Sequence, residues 1–255
     1  MGVIERAYMR GLRHAPQDPP PPEWGAQPFG VVRRAGGVLA ALHFPHPDPI
    51  GVVVFGHPGI AAAKGYFHRN DRVPFVRALG FAAATFDHGG FGESDDSAGL
   101  FDREWTDMLA WARRRYPGLP VHVWGVSMGG YFAHHALAHD EDGIASAVFE
   151  QVTPDLLRYG ESARLMPANA LTTLLIPTAR RWVAAHEQAP RLAVERALYV
   201  SGDADTGVPP AHADRLAAAA GPFAQHHVVA GAGHLEAWKL GGADLRQAVE
   251  RTLLA

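Results

Sequence analysis

The sequence predicts an α/β fold: an open, mostly parallel β-sheet with helices on both faces. Three observations predict it. Apolar runs at 51–55, 81–86, 121–125, 144–149, 198–201 and 226–229 are short and mostly unalternated, which suits strands buried on both faces. Helical stretches separate most of these runs, and such alternation builds a parallel sheet through crossover helices. The chain is 255 residues long and 47% hydrophobic, enough to bury one sizeable core.

In chain order, residues 1–26 read as an N-terminal arm. Glu5, Arg6, Arg10 and Arg13 interrupt what a signal peptide would need as an apolar core, and "DPPPPEW" from Asp18 to Trp24 lacks the donors for a helix or central strand. The body, 27–255, opens with "FGVVRRAGGVLAALHFP", two extended runs around Gly36-Gly37 that read as a hairpin. Helices are expected at 70–79, 102–115, 127–139, 209–220 and 243–254, several with Asp, Asn or Pro at their starts, Asn70 serving as one such cap. Residues 152–194 are too long for a strand connection, and "ALTTLLIPTARRWVAAH" within them is amphipathic, so this stretch is expected to form a helical cap insert.

The absence of cysteine excludes thiolate catalysis, disulfides and cysteine zinc sites. A formal charge of −3 gives no broad attraction to nucleic acid or to an anionic membrane. No run is long enough to span a bilayer. A soluble, cytoplasmic protein acting on a small molecule is the expectation, with no cofactor or metal, no nucleic-acid or membrane partner, and an oligomeric state the sequence does not reveal.

The segment most charged with chemistry is "VHVWGVSMGGYFAHHALAH". Here Gly125, Ser127 and Gly129 form a Gly-x-Ser-x-Gly pattern between an apolar strand and an alanine-rich helix. In a nucleophile elbow the serine occupies a strained turn above the sheet, and the two glycines let backbones approach closely. The turn would also place Ser127 at a helix N-terminus, which favours negative charge on a bound carbonyl oxygen. The plain alternative is a serine that only N-caps its helix.

This stretch, with those that follow, resembles the α/β-hydrolase superfamily from roughly Gln27 to the C-terminus. The resemblance implies a nucleophile followed in the chain by an acid and then a histidine. "VVAGAGHLEAW" places His234 beyond the last strand, where that histidine belongs, and "LYVSGDADTGVPP" resembles the family's Gly-x-x-Asp turn and implies Asp205 as the acid. Asp203 competes as a nearer residue that would only cap the turn, and Glu150, at the end of the preceding strand, is a third choice. In "VFGHPGIAAAKGYF" the family's oxyanion loop carries an intervening proline. This implies Met128 N–H as one oxyanion donor and Ile60 N–H, or else Gly59 N–H, as the other; Pro58 cannot donate.

The remaining histidine-rich and glycine-rich stretches have plainer expectations. His57 is expected to brace its loop, and Tyr66 and Phe67 are candidate pocket walls. "DHGGFGES", Asp87 to Ser94, resembles a second family signature with Gly89 in place of an arginine, and reads as a tight turn packing near the elbow. His134, His135 and His139 lie on the helix after the elbow with no carboxylate spaced to join them, so they are expected to be solvated or capping rather than metal ligands. The insert offers Leu157, Tyr159, Leu171 and Trp182, among others, to roof an apolar pocket.

These readings imply a serine hydrolase of the carboxylesterase kind, acting through Ser127, Asp205 and His234. Thioesters, lactones, carbon–carbon bonds and small peptides fit the same constellation, and a protein that binds without hydrolysing stands as the alternative of another class.

Overall fold

The computed structural model describes residues 19–60, 62–96, 101–152 and 185–255. Residues 1–18 of the arm and 153–184 of the expected cap insert lie outside them, so Leu157, Tyr159, Leu171 and Trp182 receive no structural account.

Eight strands form one sheet: β1 (Gln27–Val32), β2 (Val38–Phe44), β3 (Val52–Gly56), β4 (Ala82–Phe86), β5 (Val121–Val126), β6 (Ile144–Glu150), β7 (Val194–Gly202) and β8 (Ala224–Val229). Their spatial order is β1-β2-β4-β3-β5-β6-β7-β8. β1 and β2 are the expected hairpin, antiparallel with Val32 opposite Val38 around the two glycines. β2 meets β4 antiparallel, and every later pairing is parallel. The unalternated runs are explained by burial: all residues of β3, β4 and β5 are buried.

The helices are α1 (Tyr66–Arg69), α2 (Arg72–Ala78), α3 (Phe101–Arg115), α4 (Met128–Leu137), α5 (Ala185–Gln188), α6 (Pro210–Ala220), α7 (Ala237–Leu240) and α8 (Gly242–Leu254). One core, with Trp105, Met108, Phe132 and Leu216, lies between the sheet and α3, α4 and α6. The other, with Val73, Phe75, Trp238 and Val249, joins α2, α7 and α8 to the opposite face.

The helix expected at 70–79 begins later, at Arg72. Asn70 does not cap it: its Nδ2 donates to Tyr66 O at 2.7 Å, closing α1 behind it. Tyr66 and Phe67 are buried in the second core rather than standing as pocket walls. His134 and His135 are buried, not solvated; only His139 is exposed. Their helix is enclosed between α3, the sheet and α5, and His134 Nε2 finds its partner in Tyr199 Oη on β7.

The parallel arrangement has one consequence for function. Gly56 aligns with Gly125, Val126 with Glu150, and Glu150 with Val200. The loops that leave β3, β5, β6, β7 and β8 therefore emerge at the same edge, the carboxyl ends of the strands, where open α/β sheets bind ligands.

Candidate active site

At the end of β5 the backbone turns on Ser127, whose φ of 48° and ψ of −117° are strained for a residue with a side chain. Holding it there costs on the order of 1–3 kcal/mol, offset by the packing around it. Ser127 N–H donates to Glu150 O on the neighbouring strand at 2.9 Å, and Ser127 O accepts from Tyr131 N–H, starting α4. The side chain makes no cap hydrogen bond. Its Oγ stands 3.1 Å from His234 Nε2 instead.

Glycines make this turn possible. A Cβ on Gly125 would lie 2.4 Å from Gly130 Cα, and one on Gly129 would lie 2.1 Å from Gly56 O. Trp105 on α3 secures the same junction, since its Nε1–H donates to Gly129 O at 2.9 Å and its ring occupies the space a Gly56 side chain would need.

Asp205 sits in the turn after β7, 2% exposed. Its Oδ1 accepts from Gly207 N–H at 2.9 Å and Val208 N–H at 2.8 Å. Its Oδ2 lies 2.7 Å from His234 Nδ1 and 2.8 Å from Gln151 Nε2. Burial opposes ionisation, but the hydrogen bonds from His234, Val208 and Gly207 prevail and hold the carboxyl below its ordinary range. An ionised carboxylate only accepts, so the proton between the pair belongs on Nδ1, leaving Nε2 free to accept from the Ser127 hydroxyl.

The other two acid candidates are engaged elsewhere. Asp203 is exposed and accepts from Gly231 N–H at 2.6 Å. Glu150 is buried in a two-point pair with Arg72, Nε to Oε2 at 3.1 Å and Nη2 to Oε1 at 2.5 Å, and also accepts from Trp124 Nε1–H. The sequence reading missed Gln151, the very next residue. The signal available was topological: the end of β6 lies between the ends of β5 and β7, which carry Ser127 and Asp205.

The loop after β3 faces the elbow. Ile60 N–H donates to Pro58 O at 2.7 Å, so that amide is committed within its own loop. The amides of Gly59 and Met128 have no partner among the described residues, and a Cβ on Gly59 would sit 3.5 Å from Met128 Sδ, so Gly59 packs against the Met128 side chain. His57 braces this loop through both ring nitrogens. Nδ1–H donates to Pro58 O at 2.7 Å, and Nε2 accepts from His88 N–H at 2.9 Å. Burial, then the neighbouring His88, push its pKa well below the usual histidine value, so it stays neutral.

Further along, Lys64 Nζ contacts Asp87 Oδ2 and Glu93 Oε2, both at 2.6 Å, while Lys64 N–H donates to Asp87 Oδ1. Gly92, at φ 46°, is tightly placed in the "DHGGFGES" turn; a Cβ there would fall 2.2 Å from Asp87 Oδ2. His88 points into the core beside Phe86 and Trp105, with Nδ1 3.1 Å from Glu104 Oε2.

A second serine–histidine–aspartate series exists. Ser201 Oγ is 2.7 Å from His226 Nε2, and His226 Nδ1 is 2.6 Å from Asp214 Oδ1. The connectivity matches, but Ser201 is fully buried within β7 and lies on no elbow. Contact order alone does not make a reactive site.

The sequence matches the family described as the alpha/beta hydrolase fold over residues 52–174. Among solved structures, the esterase Pf2001 of Pyrococcus furiosus superposes with a TM-score of 0.78 at 15% identity, covering 94% of this chain and 95% of that one. Est1E of Butyrivibrio proteoclasticus, solved with ferulic acid bound, gives 0.72 at 15% identity over 89% of this chain and 100% of that one. Curated proteins match locally. Lysophosphatidylserine lipase ABHD12 of Danio rerio is 27% identical over 113 residues, 42% of this chain and 28% of its own length. An uncharacterized 31.7 kDa protein from the traX-finO intergenic region of Escherichia coli is 31% identical over 133 residues, 46% of each. The chain thus spans less than half the length of these curated relatives. No helix among the described residues is long and apolar enough to cross a membrane.

Proposed function

We propose that the chain, which has the alpha/beta hydrolase fold, belongs to the α/β-hydrolase superfamily and is a serine hydrolase cleaving an ester-like acyl bond of a small molecule through an acyl-enzyme. The observation that carries the reading is the hydrogen-bonded line from Ser127 Oγ through His234 to Asp205, 3.1 Å and 2.7 Å, mounted on a strained elbow.

In this proposal His234 Nε2 takes the Ser127 proton as Oγ attacks the acyl carbonyl, and Asp205 stabilises the imidazolium that forms. The tetrahedral oxyanion accepts from the Met128 and Gly59 amides, the two left open where Ile60 N–H is committed to Pro58 O. Collapse breaks the bond to the leaving group, which takes the proton from His234. Water then attacks the acyl-serine by the same route and releases the acid. The esterase neighbours favour an ester over an amide or a carbon–carbon bond, since Pf2001 is named an esterase and Est1E was solved with an aromatic acid.

A fluorophosphonate probe tests the nucleophile. Wild-type protein should be labelled at Ser127, and Ser127→Ala should not be labelled at all. A folded wild type that stays unlabelled would mean a binding protein on this fold. A panel of p-nitrophenyl esters of graded chain length, with thioesters, lactones and aminoacyl amides, then reads the bond class. Turnover of the amides alone would overturn the ester assignment.

A further inference from the structure

Gln151 has no part in the cycle above, yet its position is unusual. It is fully buried, and its φ of 51° is strained for a residue with a long side chain. Its backbone N–H donates to Val200 O at 2.7 Å, fixing the residue between the ends of β6 and β7. Its side-chain amide makes three contacts. Nε2 donates to Asp205 Oδ2 at 2.8 Å and to Gly233 O at 2.7 Å, while Oε1 accepts from Leu235 N–H at 2.7 Å.

The polarity of these contacts leaves one orientation. Nε2 has two protons and faces two acceptors, and Oε1 faces a donor; flipping the amide would set oxygen against oxygen twice. The three partners are the oxygen of Asp205 that His234 uses and the backbone on either side of His234. One side chain therefore ties the acid to both neighbours of the histidine.

We propose that Gln151 is a positioning residue that holds the Asp205 carboxylate and the His234 loop in mutual register, so that Nδ1 stays on Asp205 and Nε2 stays aimed at Ser127. The strained backbone is what its reach requires: the amide must turn back from the end of β6 across β7 to the loop after β8. Glutamate cannot substitute, because its carboxylate would face Asp205 as a like charge and leave Gly233 O without a donor. The inference uses the reading of Ser127, Asp205 and His234 as the reacting set, but its central measurement does not depend on turnover.

Gln151→Met keeps the length and removes the amide; Gln151→Gly removes the side chain and relieves the positive φ, and serves where the methionine variant folds poorly. The primary readout is the low-field proton resonance of the His234 Nδ1–H bond to Asp205 in the intact chain. In wild type it should be sharp. In the variants it should broaden or vanish while circular dichroism stays native. Turnover of the best p-nitrophenyl ester should then fall about 10- to 100-fold in kcat with KM within about threefold, the pattern of a displaced reacting group rather than of lost substrate contact. A resonance that survives unchanged in a folded variant, or a kcat that stays within twofold of wild type, overturns the inference. Should wild type fail to react with fluorophosphonate while the resonance behaves as described, the register role stands and the hydrolase reading falls.

Discussion

Asp205 occupies a place where burial alone would favour a neutral acid, and three donors reverse that preference, His234 Nδ1–H, Val208 N–H and Gly207 N–H, while Gln151 Nε2–H bonds the same carboxylate. The lowered pKa has a defined sign. The group adds stability above the ordinary carboxylate value and loses it only as pH falls through the lower folded value. Asp205→Asn places an amide against Nδ1 and disturbs the tautomer, so kcat should fall by about 10⁴. Asp203→Asn should stay near wild type. Glu150→Gln should cost stability, about 3 kcal/mol, since buried Arg72 loses its counter-charge, with kcat of the folded fraction preserved. Steady-state kinetics beside denaturant melts separate these outcomes, and equal kcat losses across the three would undo the acid assignment. At this scale the residues held by a local pattern were legible in the sequence. Ser127 lies in a pattern its backbone demands, and His234 and Asp205 were expected because the turns that carry them resemble those of the α/β-hydrolase family. Gln151 was not legible, because its neighbours in the chain say nothing of Gly233 and Leu235, which reach it only through the fold.

Among the elements, the loop that carries Gly59 depends on a strut. Lys64, 3% exposed, places its ammonium on Asp87 at the end of β4, and Asp87 in turn accepts from Lys64 N–H and Glu93 N–H. Burial raises the Asp87 pKa against the pull of Lys64, which marks a carboxylate that depends on its partner. Lys64→Met should therefore strand a buried acid and cost about 3–5 kcal/mol in chemical denaturation. Turnover should fall as well, because the loop that positions the Gly59 amide loses its tie; an unchanged melting curve would show that the strut carries no weight. The strands and most helix ends were readable from apolar runs and the polar stretches between them, and β3, β4 and β5 show why, being buried on both faces. The failures came where a side chain found a partner outside its own element. Asn70 turned back to Tyr66 O rather than forward to α2, and His134 went to Tyr199, so both defeated rules written for a helix in isolation.

Across the whole molecule, the buried histidines set how the fold answers acid. His43 and His122 are 3% and 1% exposed, His134 is fully buried, and each bonds a hydroxyl: Tyr116 Oη, Ser146 Oγ and Tyr199 Oη respectively. Burial lowers the pKa of His43 to about 4, with Arg115 adding to it, of His122 to about 4, with Arg196, and of His134 to about 3, with His135. His57 shifts in the same direction. The unfolded chain titrates these groups near 6.5, so below that pH it binds protons the folded state refuses, and stability falls with pH until the folded values are reached. Each group contributes up to about 1.4 kcal/mol per pH unit, and His43, His122 and His134 together about 4 kcal/mol per unit between pH 6.5 and 4. A domain of ordinary stability, about 5–15 kcal/mol, loses a large part of its margin one to two units below neutrality. Denaturant unfolding from pH 8 to 4.5 should therefore give a flat free energy above about 7 and a steep decline below 6. His122→Asn, which keeps a polar partner for Ser146 without a titrating ring, should remove roughly a third of that slope. A wild-type free energy that changes little between pH 7 and 5 would mean that these side chains take up protons inside the fold as readily as outside it.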